Sequence, residues 1–413
     1  MSTKRLSNYH EFGLIQPTQA YYIPPIRDNS ISKFDREQVK EDAENTRVIM
    51  HDNYMQLVAG FIAHKMQHGT NTEKQIYVAG WTPEKQISRL FTRRAITFSG
   101  EADSYTNRLG HPIKTTESRK TWGDFWDRVG TDNESKGLNL GSYLSYDEML
   151  LGSLIGISGP SFFINDGNRK NRAVQGEAGT YETRGIITGL VGPRFQRAGR
   201  MDSILIEHAK KNNQHPELTK LFLDFLGVEL QPGEDFSVGA YMARMKITFD
   251  LLLLEANMQA AEVGKKAYVY LVGLGLGVFK HTKHQATYFT QAFLGALVLL
   301  NGKLDSIATV EFGYISGIDA ETQTLTTQVA TAAGIDIIFN SKREPAAKLP
   351  PGKDDQLLVL SYAWNANSFP GNSFWNNNLD GSGDPAAACM STIAELHNWV
   401  MNPHLLDRQK TLG

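Results

Sequence analysis

The stretch AYVYLVGLGLGVF, residues 267–279, runs from six apolar residues into glycines at 273, 275 and 277. A near-continuous apolar run of this length reads as a strand buried on both faces. Glycines at its end let the backbone turn sharply and bring N–H groups close to a ligand. Downstream, HQATYFTQAFLGALVLLNG (284–302) reads as a helix and SIATVEFGYI (306–315) as a strand. TQTLTTQVATAAG (322–334) is a helix, IDIIFN (335–340) and QLLVLSYAW (356–364) are strands, and DPAAACMSTIAELHNWVM (384–401) is a final helix. Strand and helix in alternation predict an α/β fold with a mainly parallel sheet sandwiched by helices. Ligands in such sheets bind beyond the carboxyl ends of the strands.

Upstream the pattern is less regular. Residues 1 to about 30, with YYIPPIRDNS at 21–30, predict an extended arm, and residues 34–68 predict one long amphipathic helix or two. KQIYVAGW (74–81) and AITFSG (95–100) are strand candidates, whereas SGPSFFINDGN (158–168) reads as a loop after a helix. In that loop Phe162 or Phe163 would either stack on a base or pack in the core. GLVGPRF (189–195) closes a strand-like segment, and residues 215–230 and 240–263 read as helices, the second stopped by Gly264. The boundary expected from these shifts divides a mostly helical N-terminal extension, 1–139, from a ligand-binding domain, 140–413.

With 413 residues, 41% of them hydrophobic, the chain is long enough for a large core. A formal charge of -2 gives no general attraction for nucleic acid. No apolar run approaches the roughly 18 residues of a membrane span, and the N-terminus lacks the apolar core of a secretory signal. The expectation is a protein of the cytoplasm with no nucleic-acid or membrane partner. The single cysteine, Cys389, excludes an internal disulfide and reads as a packed small residue rather than a catalytic thiol.

The second flexible segment follows another strand of the same expected sheet, in SYAWNANSFPGNSFWNNNLDGSGDPAAACMS (361–391). Asn365, Asn367 and Asn372 supply amides that donate and accept, as ribose hydroxyls require, and Gly371 permits close backbone approach. Phe369, Phe374 and Trp375 offer flat faces to a sugar or base, or else pack on the body of the protein. His281 and His284, three apart, lack an acidic neighbour in sequence, so no metal site is expected there. Arg184 and Arg194 would contact a diphosphate or form structural ion pairs.

LVLSYAWNANSFPGNSFW (358–375) resembles the macrodomain loop in which a strand ends in an asparagine-alanine-asparagine motif and a glycine-rich turn cradles the distal ribose of ADP-ribose. YLVGLGLGVFKHTKHQATYFTQAFLGAL (270–297) resembles the second macrodomain loop, which wraps the diphosphate. The asparagine loop comes first in an ordinary macrodomain and last here, so the resemblance implies a macrodomain-like fold with rearranged, permuted strand order. It is similar to the poly(ADP-ribose) glycohydrolase-like domain of MavL-type bacterial effectors, over about residues 140–405.

From the resemblance, the expected ligand-binding residues are Gly273, Gly275, Leu276, Gly277, Val278 and Phe279 in one loop. The other loop contributes Asn365, Asn367, Ser368, Pro370, Gly371, Asn372, Phe374 and Trp375. The acid that such glycohydrolases place after the glycine turn is matched by location to Asp380 and Asp384, without the family's paired glutamates. Asp384, before Pro385, would also serve as a helix N-cap held ionised. The implied activity is an ADP-ribosyl hydrolase needing no cofactor. Its partner would be ADP-ribose or an ADP-ribosylated protein, with arginine linkage and ubiquitin implied by the effector relatives, in a host cytoplasm if the chain is such an effector. A non-catalytic ADP-ribose reader would use the same two loops. A Rossmann dinucleotide enzyme would use the glycine loop alone, with Asp319 as its acidic residue.

Overall fold

The computed structural model describes residues 24–99, 104–112, 126–195, 197–207, 212–230, 234–365 and 367–413. Most of the expected arm and Ala366 of the asparagine motif lie outside them. The segment read as one or two helices is α1 (Arg36–Asn45), then strand β1 (Arg47–His51), then α2 (Tyr54–His68). Asp35 starts α1 by accepting from the Gln38 N–H at 2.9 Å. The expected strand at 74–81 is instead a 3₁₀ turn with irregular chain, and α3 (Pro83–Thr92) follows, capped by Thr82. A small hairpin joins β2 (Thr97–Ser99) and β3 (Ser104–Thr106).

Next come α4 (Tyr146–Gly152), β4 (Ile155–Phe162), β5 (Arg184–Leu190), α5 (Asp202–Ile206), α6 (Pro216–Leu226) and the 25-residue α7 (Val238–Glu262). The rest is β6 (Ala267–Val272), α8 (Gln285–Leu299), β7 (Ile307–Gly313), α9 (Ala320–Ala332), β8 (Asp336–Ser341) and β9 (Leu357–Ala363). The expected final helix is broken into α10 (Asp384–Met390) and α11 (Ile393–Leu396), and the chain ends in β10 (Gln409–Leu412).

Eight strands form one sheet in the order β10-β1-β4-β5-β9-β6-β7-β8. Only β4 runs against the others; β5, β9, β6, β7 and β8 are mutually parallel. The mixed, mainly parallel sheet expected from the sequence is present, flanked by helices. Long α7 packs across it, touching β1, β4, β5, β6, β7 and β9. Ile157 and Phe162 of β4 are five residues apart and so face opposite sides. Ile157 enters the large core, and Phe162 packs on a smaller cluster containing Ile31, Val39, Ala43, Trp375 and Leu396.

One expectation is corrected by this arrangement. The segment at 158–162, read as loop, belongs to β4; Phe163 is core, and Phe162 stacks on Phe34 at 4.2 Å, leaving neither ring for a base. Among the described residues before 140, β1 sits between β4 and β10, and the large core includes Val48, Leu57 and Ile87 beside Leu150 and Val269.

Candidate active site

Strands β5, β9 and β6 are neighbours and parallel, so the segments leaving their carboxyl ends emerge side by side. These segments are 192–195, the described residues of 365–371, and 273–279. They pack closely: a Cβ on Gly192 would lie 2.8 Å from the Gly275 nitrogen, so only glycine fits where the first loop crosses the third. This is the edge at which an open α/β sheet takes its ligand.

In the glycine loop, Gly275 has φ +76°, Gly277 is exposed and the Val278 side chain is 92% exposed. Leu276 and Phe279 lean on the core. Buried Gln285, the first residue of α8, shapes the loop by donating to the Gly275 and Phe279 carbonyls at 3.2 and 3.4 Å and accepting from the His281 N–H at 2.6 Å. Among the described residues, the N–H groups of Gly277, Val278 and Phe279 have no acceptor. Successive free N–H groups before a helix favour an anion. His281, the loop's exit, pairs with Glu207 (2.8 Å) and stacks on Phe236, which accounts for it without a metal. Burial raises the Glu207 pKa above the ordinary carboxyl value, partly opposed by His281.

The first loop is anchored by a buried ion pair. Arg244, wholly buried on α7, donates to Asp202 Oδ1 (3.0 Å), the Ser153 carbonyl (2.9 Å) and the Val191 carbonyl (3.2 Å). Asp202 Oδ2 in turn accepts from the Arg194 N–H at 2.9 Å. The Arg194 guanidinium then reaches all three neighbours. It donates to Asn365 Oδ1 at 3.5 Å and lies over the rings of Phe98 and Phe279 at 5.1 and 5.7 Å. Arg184 is elsewhere, bidentate on Asp42.

The asparagine loop is far less open. Asn365 donates to the Phe98 carbonyl, and its Oδ1 also accepts from the Asn367 N–H at 3.2 Å. Asn367 is buried against the Met201 sulfur, and Ser368 donates to the Asn365 carbonyl at 3.1 Å. Asn372 grips the Phe98 backbone at both ends, accepting from its N–H at 3.0 Å and donating to its carbonyl at 3.3 Å. Pro370 is buried and its carbonyl takes the Trp375 Nε1–H at 2.8 Å. Phe369, Phe374 and Trp375 are each 1% exposed, so the rings expected to offer faces to a sugar are packed inward. Gly371 makes the turn at φ +97°, with the Ala388 Cβ 3.2 Å from where a side chain would begin.

Asp384 holds that turn. It is 3% exposed; Oδ1 accepts from the Gly371 N–H at 2.6 Å and Oδ2 from the Asn365 N–H at 3.3 Å. Gly383 occupies the cap position, so Asp384 is the first helical residue and does not cap α10 as expected. Nor is it held ionised: burial outweighs both backbone bonds and raises its pKa to about 7. Arg94, 2% exposed, is a nearby cation missed in sequence. It is stacked at 4.1 Å on Trp364, and Nη1 and Nη2 have no hydrogen-bond partner among the described residues. Burial lowers its pKa to about 9. Asp380 lies elsewhere, exposed and paired with Arg172 of the β4–β5 connection. That connection leaves the opposite end of the sheet, because β4 is antiparallel to β5. Cys389, five residues along α10, touches the Leu379 carbonyl, and burial raises its thiol to about 12.

Asp319 caps α9 by accepting from Thr322, which removes the Rossmann candidate for a ribose acid. No helix among the described residues is long and apolar enough to cross a membrane.

Comparison with known proteins gives the family. Residues 17–217 and 224–411 match the family described as ADP-ribosylhydrolase MavL-like. ADP-ribosylarginine hydrolase CG3568 of Drosophila melanogaster is 31% identical over 90% of this chain and 78% of its own length. ADP-ribosylarginine hydrolase CG2909 of the same organism is 28% identical over 97% of this chain and 86% of its own. The chain therefore belongs to the MavL-like ADP-ribosylhydrolases and is an enzyme of that class.

Proposed function

We propose that this enzyme removes ADP-ribose from arginine side chains of modified proteins, using a macrodomain-like domain whose strand order is rearranged. The observation that carries the reading is the meeting of three loops beyond β5, β9 and β6, with free N–H groups in the glycine loop and Arg194 beside Asn365. The names of the two Drosophila relatives support arginine as the attachment. Ubiquitin as the modified protein, and the cytoplasm as the place, rest on the resemblance to effector domains.

In this reading Gly273, Gly275 and the N–H groups of Gly277, Val278 and Phe279 cradle the diphosphate, with Arg194 as its counter-charge. Asn365 and the Gly371 turn place the distal ribose. The C–N bond between ribose C1 and the arginine nitrogen breaks through an oxocarbenium-like state; water adds its oxygen to C1 and its proton balance leaves the guanidine protonated. Asp384 is assigned the acid–base role. Two of a carboxylate's roughly four lone-pair positions are taken by Gly371 and Asn365, which leaves capacity for water or ribose. A pKa near 7 populates both protonation states at neutral pH.

The test is release of ADP-ribose from arginine-modified proteins, ADP-ribosylated ubiquitin among them, with calorimetric ADP-ribose binding measured alongside. Asp384→Asn is expected to lower kcat by about 10²–10⁴-fold, the usual range for losing a positioned acid or base, while ADP-ribose still binds. Full turnover by that variant would refute the role of Asp384. Binding of ADP-ribose by wild type without release from any arginine linkage would refute the proposed substrate.

A further inference from the structure

Helices α2 and α6 pack against each other, and three imidazoles gather where the carboxyl end of α2 meets the amino end of α6. His64 and His68 are one turn apart on α2 and so share a face. His215 is the cap residue of α6, and Glu217 lies in its first turn. The ring centroids are 5.1 Å apart for His64–His68, 4.9 Å for His64–His215 and 4.7 Å for His68–His215. One ligating atom from each of His64, His215 and Glu217 lies within 4.8 Å of the others.

Packing alone leaves an unexplained feature here. Both ring nitrogens of His64 are shut off from solvent and have no hydrogen-bond partner among the described residues. A buried polar group in that state is destabilising, because it has given up water without gaining a partner. Exposed His215 and Glu217 open the cluster to solvent on the other side, which gives an entry path. His68 Nε2 lies 2.9 Å from Glu217 Oε2, within ion-pair distance but without hydrogen-bond alignment, so a small ring rotation would let it steady the carboxylate as outer-shell partners of metal ligands do.

We infer that His64, His215 and Glu217 bind a divalent transition-metal ion of the zinc class, with His68 orienting Glu217. Two imidazoles and a carboxylate suit Zn²⁺, Co²⁺ or Ni²⁺ far better than Mg²⁺ or Ca²⁺. Bonds of about 2.0–2.1 Å in a tetrahedron set ligand atoms about 3.4 Å apart, so small side-chain rotations close the present spacing. The carboxyl end of α2 favours a cation and the amino end of α6 disfavours one, so the negative charge at the site comes from Glu217 rather than from the helix ends. The one cation next in sequence, Lys65, is balanced by Glu73 and Asp147, each 2.6 Å from its Nζ. The ion would join α2 to α6, two helices far apart in sequence, and the inference does not depend on which linkage the enzyme cleaves.

The test uses the full, tag-free chain stripped with a chelator and titrated with Co²⁺, read by ligand-field absorption, and with Zn²⁺, read by competition and elemental analysis. One equivalent per chain and a tetrahedral Co²⁺ spectrum are expected. His64→Ala and His215→Ala should weaken binding at least 100-fold, and Glu217→Gln about tenfold. Thermal unfolding should show Zn²⁺ raising the midpoint of wild type but not of His215→Ala. Because Glu217 is exposed, Glu217→Gln tests the site even where a histidine variant fails to fold. Absence of stoichiometric uptake, or uptake unchanged in His215→Ala and Glu217→Gln, overturns the inference.

Discussion

The glycine loop after β6 and the asparagine loop after β9 leave neighbouring parallel strands, yet they are built in opposite ways. The glycine loop is open, its tip residue Val278 exposed and its N–H groups at 277–279 without acceptors among the described residues. The asparagine loop is closed: Asn372 is bonded at both ends to Phe98, and Trp375 is buried. Flexible, polar composition alone therefore does not identify a ligand loop. The same residue types either present a backbone to solvent or tie a distant segment, here β2, to the end of the sheet.

The largest effect that separates the two loops is structural. Trp375→Ala should destabilise the fold by about 3–5 kcal/mol, as large aromatic truncations in cores do, in urea unfolding. A loss below about 1 kcal/mol would mean that the asparagine loop is not integral to the core.

Asp384 yields the next effect, through pH. Its folded pKa of about 7 stands above its ordinary 3.8. Between those values the folded chain keeps a proton that the unfolded chain has released, so this group's contribution to stability falls as pH rises from 4 to 7 and is fully lost above 7. Asp384→Asn removes that dependence. The stability difference between variant and wild type should shift toward the variant by up to ~4 kcal/mol across the window. A difference independent of pH would show that Asp384 is ionised throughout.

Much of this organisation was legible in the sequence, and the exceptions have physical causes. β6, α8, β7, α9, β8 and β9 follow regular apolar patterns, and the glycines at 273–277 stand where a strand must end. β1 and β10 are four or five residues long, include charged residues, and become strands only by pairing with each other and with β4. The end of β4 looks like loop in the sequence because Gly159 and Pro160 are usual loop residues. Its pairing with β1 stops at Ser158, so on that side the proline leaves no ladder bond unmade. At the candidate site, both loops are legible as flexible segments after buried strands and Asp384 follows from the resemblance, whereas Arg94 and Phe98 carry no such signal. Their partners lie some 270 residues away, and no local pattern in FTRRAITF announces them.

A smaller effect probes the closed loop from its polar side. Asn372→Ala should cost about 1–3 kcal/mol, the range for leaving buried groups unpaired, because the Phe98 N–H and carbonyl lose their partner together. Thermal unfolding measures it. If the cost were confined to catalysis, with stability unchanged, Asn372 would be a ligand contact after all.

The smallest effect on stability, and the one that tests the open loop, comes from Val278→Asp. Its side chain is 92% exposed and holds nothing in the fold, so unfolding should stay within about 0.5 kcal/mol of wild type. A carboxylate placed among the N–H groups proposed to cradle the diphosphate would repel that ligand. ADP-ribose affinity should fall about tenfold, or ~1.4 kcal/mol, and the loss should shrink at high salt as the charge is screened. Unchanged affinity in Val278→Asp would move the diphosphate away from the glycine loop. The combination of intact stability with weakened binding is what the Trp375 and Asn372 variants cannot produce, and it is therefore the outcome that tells a loop built to bind from a loop built to hold.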